Sequence, residues 1–439
     1  MGILERAATV AQSAELYQEL REGVEVSFRG GEIEKVGARE VLGRALRVIV
    51  DGKLGFASTA GEEEESLVAA ALASAEYGDP APFSFPELKG DGAAAVLDEE
   101  TLKVPPEELI SWGEEAVRAV KEEFPDVIVD AHLWRGKVTV RLANTSGGEL
   151  VEARSSLSMG LEAQWVREGD IYLVWVSRTV RRRGDLKPET LVAECLRYLR
   201  WGERVVPTPQ GRPPVLFVPK GTLVLLLPLM LGFSGMSVVM GTSPLKDRLG
   251  ERAFDPRFTL VDDGRLPYAP GTRSFDDEGV PTGRLPLAEE GVVKNFFYDL
   301  RAAALAGTGS TGSGLRGGLL RGTGFRSPPS PSLRNTVIQP GAGTLEELIA
   351  GMKEGLIVVD LLGLGQGNIQ SGAFSNNVST GFAVKDGRVI GRVKNTMIAG
   401  NVYEVLKDGL KEIGGEPEWV WGLAQVPPLL VEGVSVVAR

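Results

Sequence analysis

The chain has 439 residues, 43% apolar and 24% charged, the composition of an ordinary globular protein with length enough for two or three cores. A net charge of −11 argues against attraction to phosphate backbones or anionic lipid, so neither nucleic acid nor a membrane is an expected partner. One histidine, His132, and one cysteine, Cys195, exclude an intramolecular disulfide and any His- or Cys-rich metal cage within one copy, and a lone thiol suits the cytoplasm.

The first residues, MGILERAATVAQSAELYQEL, read as an amphipathic helix without the apolar core of a secretory signal. Residues 24–58 alternate apolar and polar side chains around Gly30-Gly31 and Asp51-Gly52, which predicts an antiparallel meander of three or four strands. GEEEESLVAAALASAEYG predicts a helix, and the Glu62–Glu65 run favours its positive end. Residues 78–106, rich in Pro and Gly, read as a linker or long surface loop before the helix PEELISWGEEAVRAVKEEF. A second meander turns at Ser146-Gly147-Gly148, and the helix KPETLVAECLRYLRWGERV follows it. Strands grouped in this way predict an α+β fold rather than alternating βαβ units. Arg212-Pro213-Pro214 marks a boundary, beyond which the chain is strand-rich with one clear helix at TLEELIAGMKEG. The expected division is residues 1–100 and 101–210 as two α+β segments, and 211–439 as a mostly β domain around a buried central helix.

That helix is expected in GTLVLLLPLMLGFSGMSVVMGTSPL, residues 221–245, which carries no charge. Leu223 to Met240 approaches the length of a membrane span, but Pro228 and several Gly and Ser residues interrupt it, and no aromatic belt flanks it. A core helix is the better reading.

Other patterns carry less chemistry than they suggest. Gly307-x-Gly309-x-x-Gly312 and Gly312-x-Gly314-x-x-Gly317 satisfy a dinucleotide fingerprint, but more Gly, Ser and Pro follow instead of a helix, so the 307–324 segment reads as a flexible loop near a cleft. Asp262, Asp263, Asp276, Asp277 and Glu278 could form a cation or acid/base site; turn-making carboxylates that cap backbone amides are the simpler reading. Cys195 is expected in a core and His132 in a structural role.

Several phrases together are similar to one family. EVSFRGGEIEKVGAREVLGRALRVIVDGKLGFAST, GTRSFDDEGVPTGRLPLAEEGVVKNFFYDLRAA and NTMIAGNVYEVL resemble, in order and over nearly the whole chain, the TldD/PmbA family, known as modulators of DNA gyrase and as metalloproteases. The resemblance implies a TldD subunit that carries HExxxH on a helix plus a carboxyl-terminal cysteine as zinc ligands, paired with a TldE (PmbA) subunit, and acting on unfolded peptides. Two imidazoles and a thiolate leave one open zinc position, where bound water is acidified and the Glu takes its proton. Here the first ligand position holds Pro228, the Glu position Leu229 and the second ligand position Phe233, and no cysteine follows Cys195.

The resemblance therefore implies a zinc-free, PmbA/TldE-like subunit of a TldD-type peptidase, with zinc only in the TldD-like partner and a heterodimer or homodimer as the assembly. A stand-alone peptide-binding module and a metal-independent hydrolase using Asp276, Asp277 and Glu278 are the alternatives. Phe233, Ser234, Asp276, Asp277, Glu278, Thr282, Tyr298, Arg301 and Asn401 lie in the resembling blocks and are the candidates for lining a substrate cleft. For Arg301 the expected choice is between a ligand carboxylate and an Asp of its own block.

Overall fold

The computed structural model describes residues 2–438 except 62–63, 168, 91, 318–323 and 366. Three long strands, β1 (Ser13–Arg29), β2 (Glu32–Val50) and β3 (Lys53–Thr59), form the first meander, and β4 (Ile128–Asn144), β5 (Glu149–Arg167) and β6 (Asp170–Val180) the second. Their turns fall at Gly30-Gly31, Asp51-Gly52 and Gly147-Gly148, where positive φ angles at every one of these positions favour Gly, or Asp at the first place of the pair. Both meanders join in one antiparallel sheet of order β3-β2-β1-β4-β5-β6, because β1 pairs with β4 from Glu15↔Asn144 to Phe28↔Ala131.

β1 corrects the expected amino-terminal helix. Only α1 (Ile3–Ala7) is helical, and the segment AELYQEL is strand. Its Ala, Glu, Leu and Gln are good helix formers, but the strand separates two sets of side chains that a helix would mix. Ala14 and Leu16 face α1 and α2 (Glu64–Ala75) in one apolar cluster; Glu15, Tyr17, Glu19 and Arg21 face the other way. Glu62 and Glu63 lie outside the described residues, while Glu64 and Glu65 occupy the first turn of α2 as the dipole favours.

Among the described residues the passage after α2 forms no helix or strand until α3 (Glu99–Leu102), but it is not a free linker. Phe85, Leu88 and Val96 are buried, and the Leu88 amide donates to the Gly147 carbonyl at 2.9 Å, so the passage is laid against the sheet. α4 (Pro106–Glu123) and α5 (Pro188–Trp201) pack on the opposite sheet face, where Leu109, Val117, Cys195 and Leu199 share a core with Val26, Leu133 and Leu161. Cys195 is fully buried, and burial pushes its thiol up to about 12, so it is a core residue and no thiolate nucleophile at neutral pH. His132 stands on β4 with its side chain exposed.

Beyond Arg212-Pro213-Pro214 the chain is strand-rich. A six-stranded sheet contains Leu260–Asp263 and Arg284–Glu289; an eight-stranded sheet is built around β7 (Val215–Phe217), Glu354–Leu362 and Ala373–Lys385. Between strands lie α6 (Leu223–Gly232), α7 (Gly235–Val239), α8 (Leu300–Ala306), α9 (Leu345–Ala350) and α10 (Val402–Lys407). The uncharged stretch is thus two short helices instead of one long one, and among the described residues no helix is long and apolar enough to cross a membrane. Leu223, Leu226 and Leu229 of α6 share a core with Phe217 and Val358 from one sheet and Leu260 and Ala288 from the other. The fold is α+β, with one wholly antiparallel sheet and a strand-rich carboxyl-terminal part whose two larger sheets are mainly antiparallel but each hold one parallel pair.

Candidate functional site

α6 has no solvent face from Leu223 to Leu229, where every side chain is buried. A helix apolar all round belongs in a core, and this one tolerates a proline within its turns. Pro228 has no N–H for the carbonyl four residues earlier, and its own carbonyl accepts a hydrogen bond from the Tyr403 hydroxyl at 3.3 Å. Tyr403 lies so close that a Cβ on Gly232 would sit 2.1 Å from its oxygen, which makes glycine a packing requirement there. α6 closes with the Phe233 amide on the Leu229 carbonyl at 2.9 Å. The Phe233 carbonyl then accepts from Phe297 at 3.1 Å, and Gly235 donates to the Phe297 carbonyl at 2.8 Å. This two-bond bridge separates α6 from α7 and brings Phe233, Ser234 and Tyr298 together, with the Phe233 ring buried near Phe254 and Phe296.

The Asp-rich turn is a separate construction. Asp276 is fully buried, and its carboxylate accepts from the amides of Glu278 and Val280, both at 2.9 Å, and Gly314 at 2.8 Å. Asp277 accepts from Arg273 Nη1 at 2.9 Å and from the Arg316 amide at 2.8 Å. Glu278 Oε2 accepts from the Leu300 amide at 2.7 Å, which ties the turn to the start of α8; its Oε1 accepts from Arg47 Nη1 at 2.7 Å. Arg47 also forms a two-pronged pair with Glu15, its directly opposed neighbour across β1 and β2, with both bonds at 2.8 Å. Thr282 braces the turn by donating to the Arg273 carbonyl at 2.5 Å. Asp262 accepts from the amides of Arg334 and Asn335, and Asp263 from Arg265. All five carboxylates are therefore engaged by backbone amides, as turn-capping groups are.

Burial and the nearby Glu278 push Asp276 up to about 8, against the pull of the Gly314 amide and Arg334. Asp299, which caps the first turn of α8 through the Ala302 amide at 2.7 Å, is pushed up to about 7 by burial and by Glu278. Burial raises Glu278 as well, with Arg47 opposing it. Burial works against the Arg47 charge, but Glu15 and Glu278 outweigh it and hold the guanidinium above its ordinary value.

Tyr298, Asp299 and Arg301 follow the bridge and begin α8, so the α6 end and the Asp-rich turn meet at this strand-to-helix junction. Arg301 pairs with Asp79 at 2.8 Å, a residue 222 positions away, which replaces the expected partner within its own block. Asn401 caps α10 by accepting from the Tyr403 amide at 3.0 Å and donates to the Ser371 carbonyl at 3.0 Å. It thus supports the residue that touches Pro228. Gly307 is the left-handed cap of α8, and Gly314–Leu315 pairs with Ser330–Pro331, so residues 307–317 are anchored; 318–323, the rest of the expected mobile part up to Gly324, lie outside the described residues. A helix precedes these glycines and a strand carries the later ones, the reverse of a dinucleotide site.

Glu15, Arg47, Arg316 and Tyr403 escaped the sequence reading. The available signal was Glu15-x-Tyr17-x-Glu19-x-Arg21, a polar row alternating with Ala14, Leu16 and Leu20.

A β-rich carboxyl-terminal part wraps an apolar helix and is set against a long-stranded antiparallel sheet. Residues 210–438 match the family model described as PmbA/TldA metallopeptidase C-terminal domain, and residues 14–76 match PmbA/TldA metallopeptidase domain 1. The chain belongs to the PmbA/TldD family. It is 25% identical over 428 residues to the metalloprotease PmbA of Escherichia coli, covering 92% of this chain and 88% of that one. It is also 26% identical over 400 residues to an uncharacterized protein of Methanocaldococcus jannaschii, covering 88% of each. The crystal structure of TldE from Thermococcus kodakarensis superposes with a TM-score of 0.89 at 25% identity over 99% of both chains. A putative modulator of a DNA gyrase from Thermotoga maritima shares the fold, with a TM-score of 0.83 at 23% identity over 99% of both.

The zinc that a metallopeptidase family implies does not fit the corresponding residues here. Pro228, Leu229 and Phe233 offer only carbon at their side-chain ends and are all buried. The Tyr403 hydroxyl beside this helix is already committed to the Pro228 carbonyl. A zinc site needs deprotonated N, S or O donors, and this helix presents none.

Proposed function

We propose that this chain is a non-catalytic, PmbA/TldE-like subunit of a TldD-type metallopeptidase acting on unfolded peptides. The carrying observation is α6: at the positions where the family resemblance puts two zinc ligands and a general base, Pro228, Leu229 and Phe233 are packed as core. The likeness to a TldE chain over its whole length supports the same reading. The chain contributes shape and binding surface to a chamber shared with a TldD-like partner, or to a homodimer through the same surface. Peptide is held by strand addition, where backbone hydrogen bonds give sequence-tolerant affinity. The hydrolase alternative is disfavoured because Asp276, Asp277 and Glu278 are buried and already bonded. The stand-alone peptide-binding reading shares the α6 argument and differs only in needing no partner.

The test is to purify the chain alone and together with a TldD-type partner, then measure bound zinc and cleavage of an unfolded peptide. The expected result is zinc and cleavage only when the partner is present, with a stable complex on size exclusion. Stoichiometric zinc and cleavage by the lone chain would defeat the proposal. Peptide binding by the lone chain without any complex would favour the stand-alone module.

A further inference from the structure

The polar face of β1 does not close completely on the carboxyl-terminal part. Between them lies a cavity of about 310 Å³, at the small end of the range for ligand sites. Five guanidinium groups line it, those of Arg21, Arg154, Arg181, Arg273 and Arg316, against two carboxylates, Glu19 and Asp277. Positive charge is thus concentrated here in a chain whose total charge is −11.

The five are not equivalent. Arg181 is fully used as a staple: it donates to the carbonyls of Ala269 at 2.8 Å, Thr272 at 3.1 Å and Ser155 at 3.2 Å, and also to Pro270. Arg316 lies over the Tyr17 ring and reaches Glu15 at 3.2 Å and the Ser327 carbonyl at 3.0 Å. Arg273 gives one bond, to Asp277, and its buried Nε has no partner among the described residues. Arg154 is the exception. Its side chain is 9% exposed, and among the described residues it makes no hydrogen bond and one ion pair, with Glu152 at 3.8 Å, while Asp277 acts on it from further off. Burial, and then the like charge of Arg273, pull it below the ordinary value of an arginine. A buried guanidinium without a close anion is costly, and a carboxylate or phosphate within the cavity would offset that cost through two-pronged, charge-assisted bonds. Arg21, whose side chain is 44% exposed, stands where such a ligand would enter from solvent.

We propose that this cavity binds one oxyanion, the carboxylate or phosphate of a small ligand or chain end, with Arg154 as its principal contact and Arg273 beside it. The site is separate from α6 and does not depend on whether the chain works with a protease partner.

Calorimetric titration of the full chain at low ionic strength tests it, with alanyl-alanine, its carboxyl-terminal amide and inorganic phosphate as probes. At least one of the two anions binds, the amide does not, and Arg154→Gln weakens binding roughly tenfold or more, as expected for a bond to a charged group. Binding of the dipeptide alone assigns the site to carboxylates, and binding of phosphate alone assigns it to phosphate esters. Arg154→Lys retains more affinity than Arg154→Gln, because the charge is kept. Should Arg154→Gln fail to fold, Arg21→Gln at the rim carries the test with a smaller loss of affinity; because Arg21 also pairs with the buried Glu19, its fold is confirmed by circular dichroism before affinities are compared. No heat with either anion, or equal affinity in the wild type and the foldable variants, overturns the proposal. Because the lone chain is read for binding and not for cleavage, this failure is distinct from failure of the peptidase-subunit reading.

Discussion

Two buried regions of this molecule are built on opposite principles. Around α6 the interior is carbon: Leu223, Leu226, Leu229 and Phe233 meet residues of two sheets, and no charge enters. Along the seam between β1 and the carboxyl-terminal part the interior is ionic, with Glu15, Arg47, Glu278 and Arg316 all at most 6% exposed. The first region tolerates loss of a single contact as a loss of area. The second does not, since removing one partner strands the others without water. Both kinds of interior can be functional ground, but they fail in different ways and at different pH.

The largest effect is expected for Arg47→Met, which leaves Glu15 and Glu278 buried without their shared cation. Unfolding in urea should show a loss of about 4 kcal/mol, the scale for breaking a buried pair, and a loss under 1 kcal/mol would mean that the seam is wetter than its burial implies. Next comes Leu229→Ala in α6, at about 3 kcal/mol for a core leucine with no solvent face, read in the same urea series. If this variant equalled Arg47→Met, the two regions would not differ as argued.

The pH dependence separates the regions further. Asp276 and Asp299, pushed up to about 8 and about 7, stay protonated in the fold over a range where the unfolded chain has already released its protons. The folded state then binds more protons than the unfolded one, so stability is greatest on the acid side and falls as pH rises from about 5 to about 8. Urea midpoints at those two pH values check the sign, and Asp276→Asn should flatten the slope, whereas Leu229→Ala should not. The smallest effect is Tyr403→Phe, which removes one hydroxyl bond to Pro228 and should cost about 1 kcal/mol by thermal unfolding. A loss several times larger would show that the hydroxyl contributes more than this single bond to holding α6.

Much of this was legible in the sequence, for reasons that can be named. The meanders and their turns were readable because Gly30-Gly31, Asp51-Gly52 and Gly147-Gly148 are local signals. α4 and α5 were readable from their apolar spacing, and α6 from its lack of charge. β1 was not, because AELYQEL scores as helix by propensity and only its partners on β2 and β4 make it a strand. The break at Ser234 was hidden too, since it depends on bonds to Phe297 that sequence spacing does not reveal. Among the candidate residues, the Asp-rich turn was recognised as a turn, but its link to Glu15 and Arg47 joins segments more than two hundred residues apart, and no local pattern encodes that distance.

That distance also orders events in time. Arg47 and Glu278 are 231 residues apart, whereas Glu15 and Arg47 are joined by a hairpin of neighbouring strands. During synthesis the hairpin emerges first, and its carboxylate and guanidinium find each other across a short loop that closes readily. The second carboxylate arrives only after more than half the chain has left the ribosome. Until then the polar face of the sheet remains hydrated, and its drying coincides with docking of the carboxyl-terminal part. In chain order the Arg47 contact to Glu278 can form before that of Arg316 to Glu15, and a nascent chain halted before both is expected to be a sheet with one wet side.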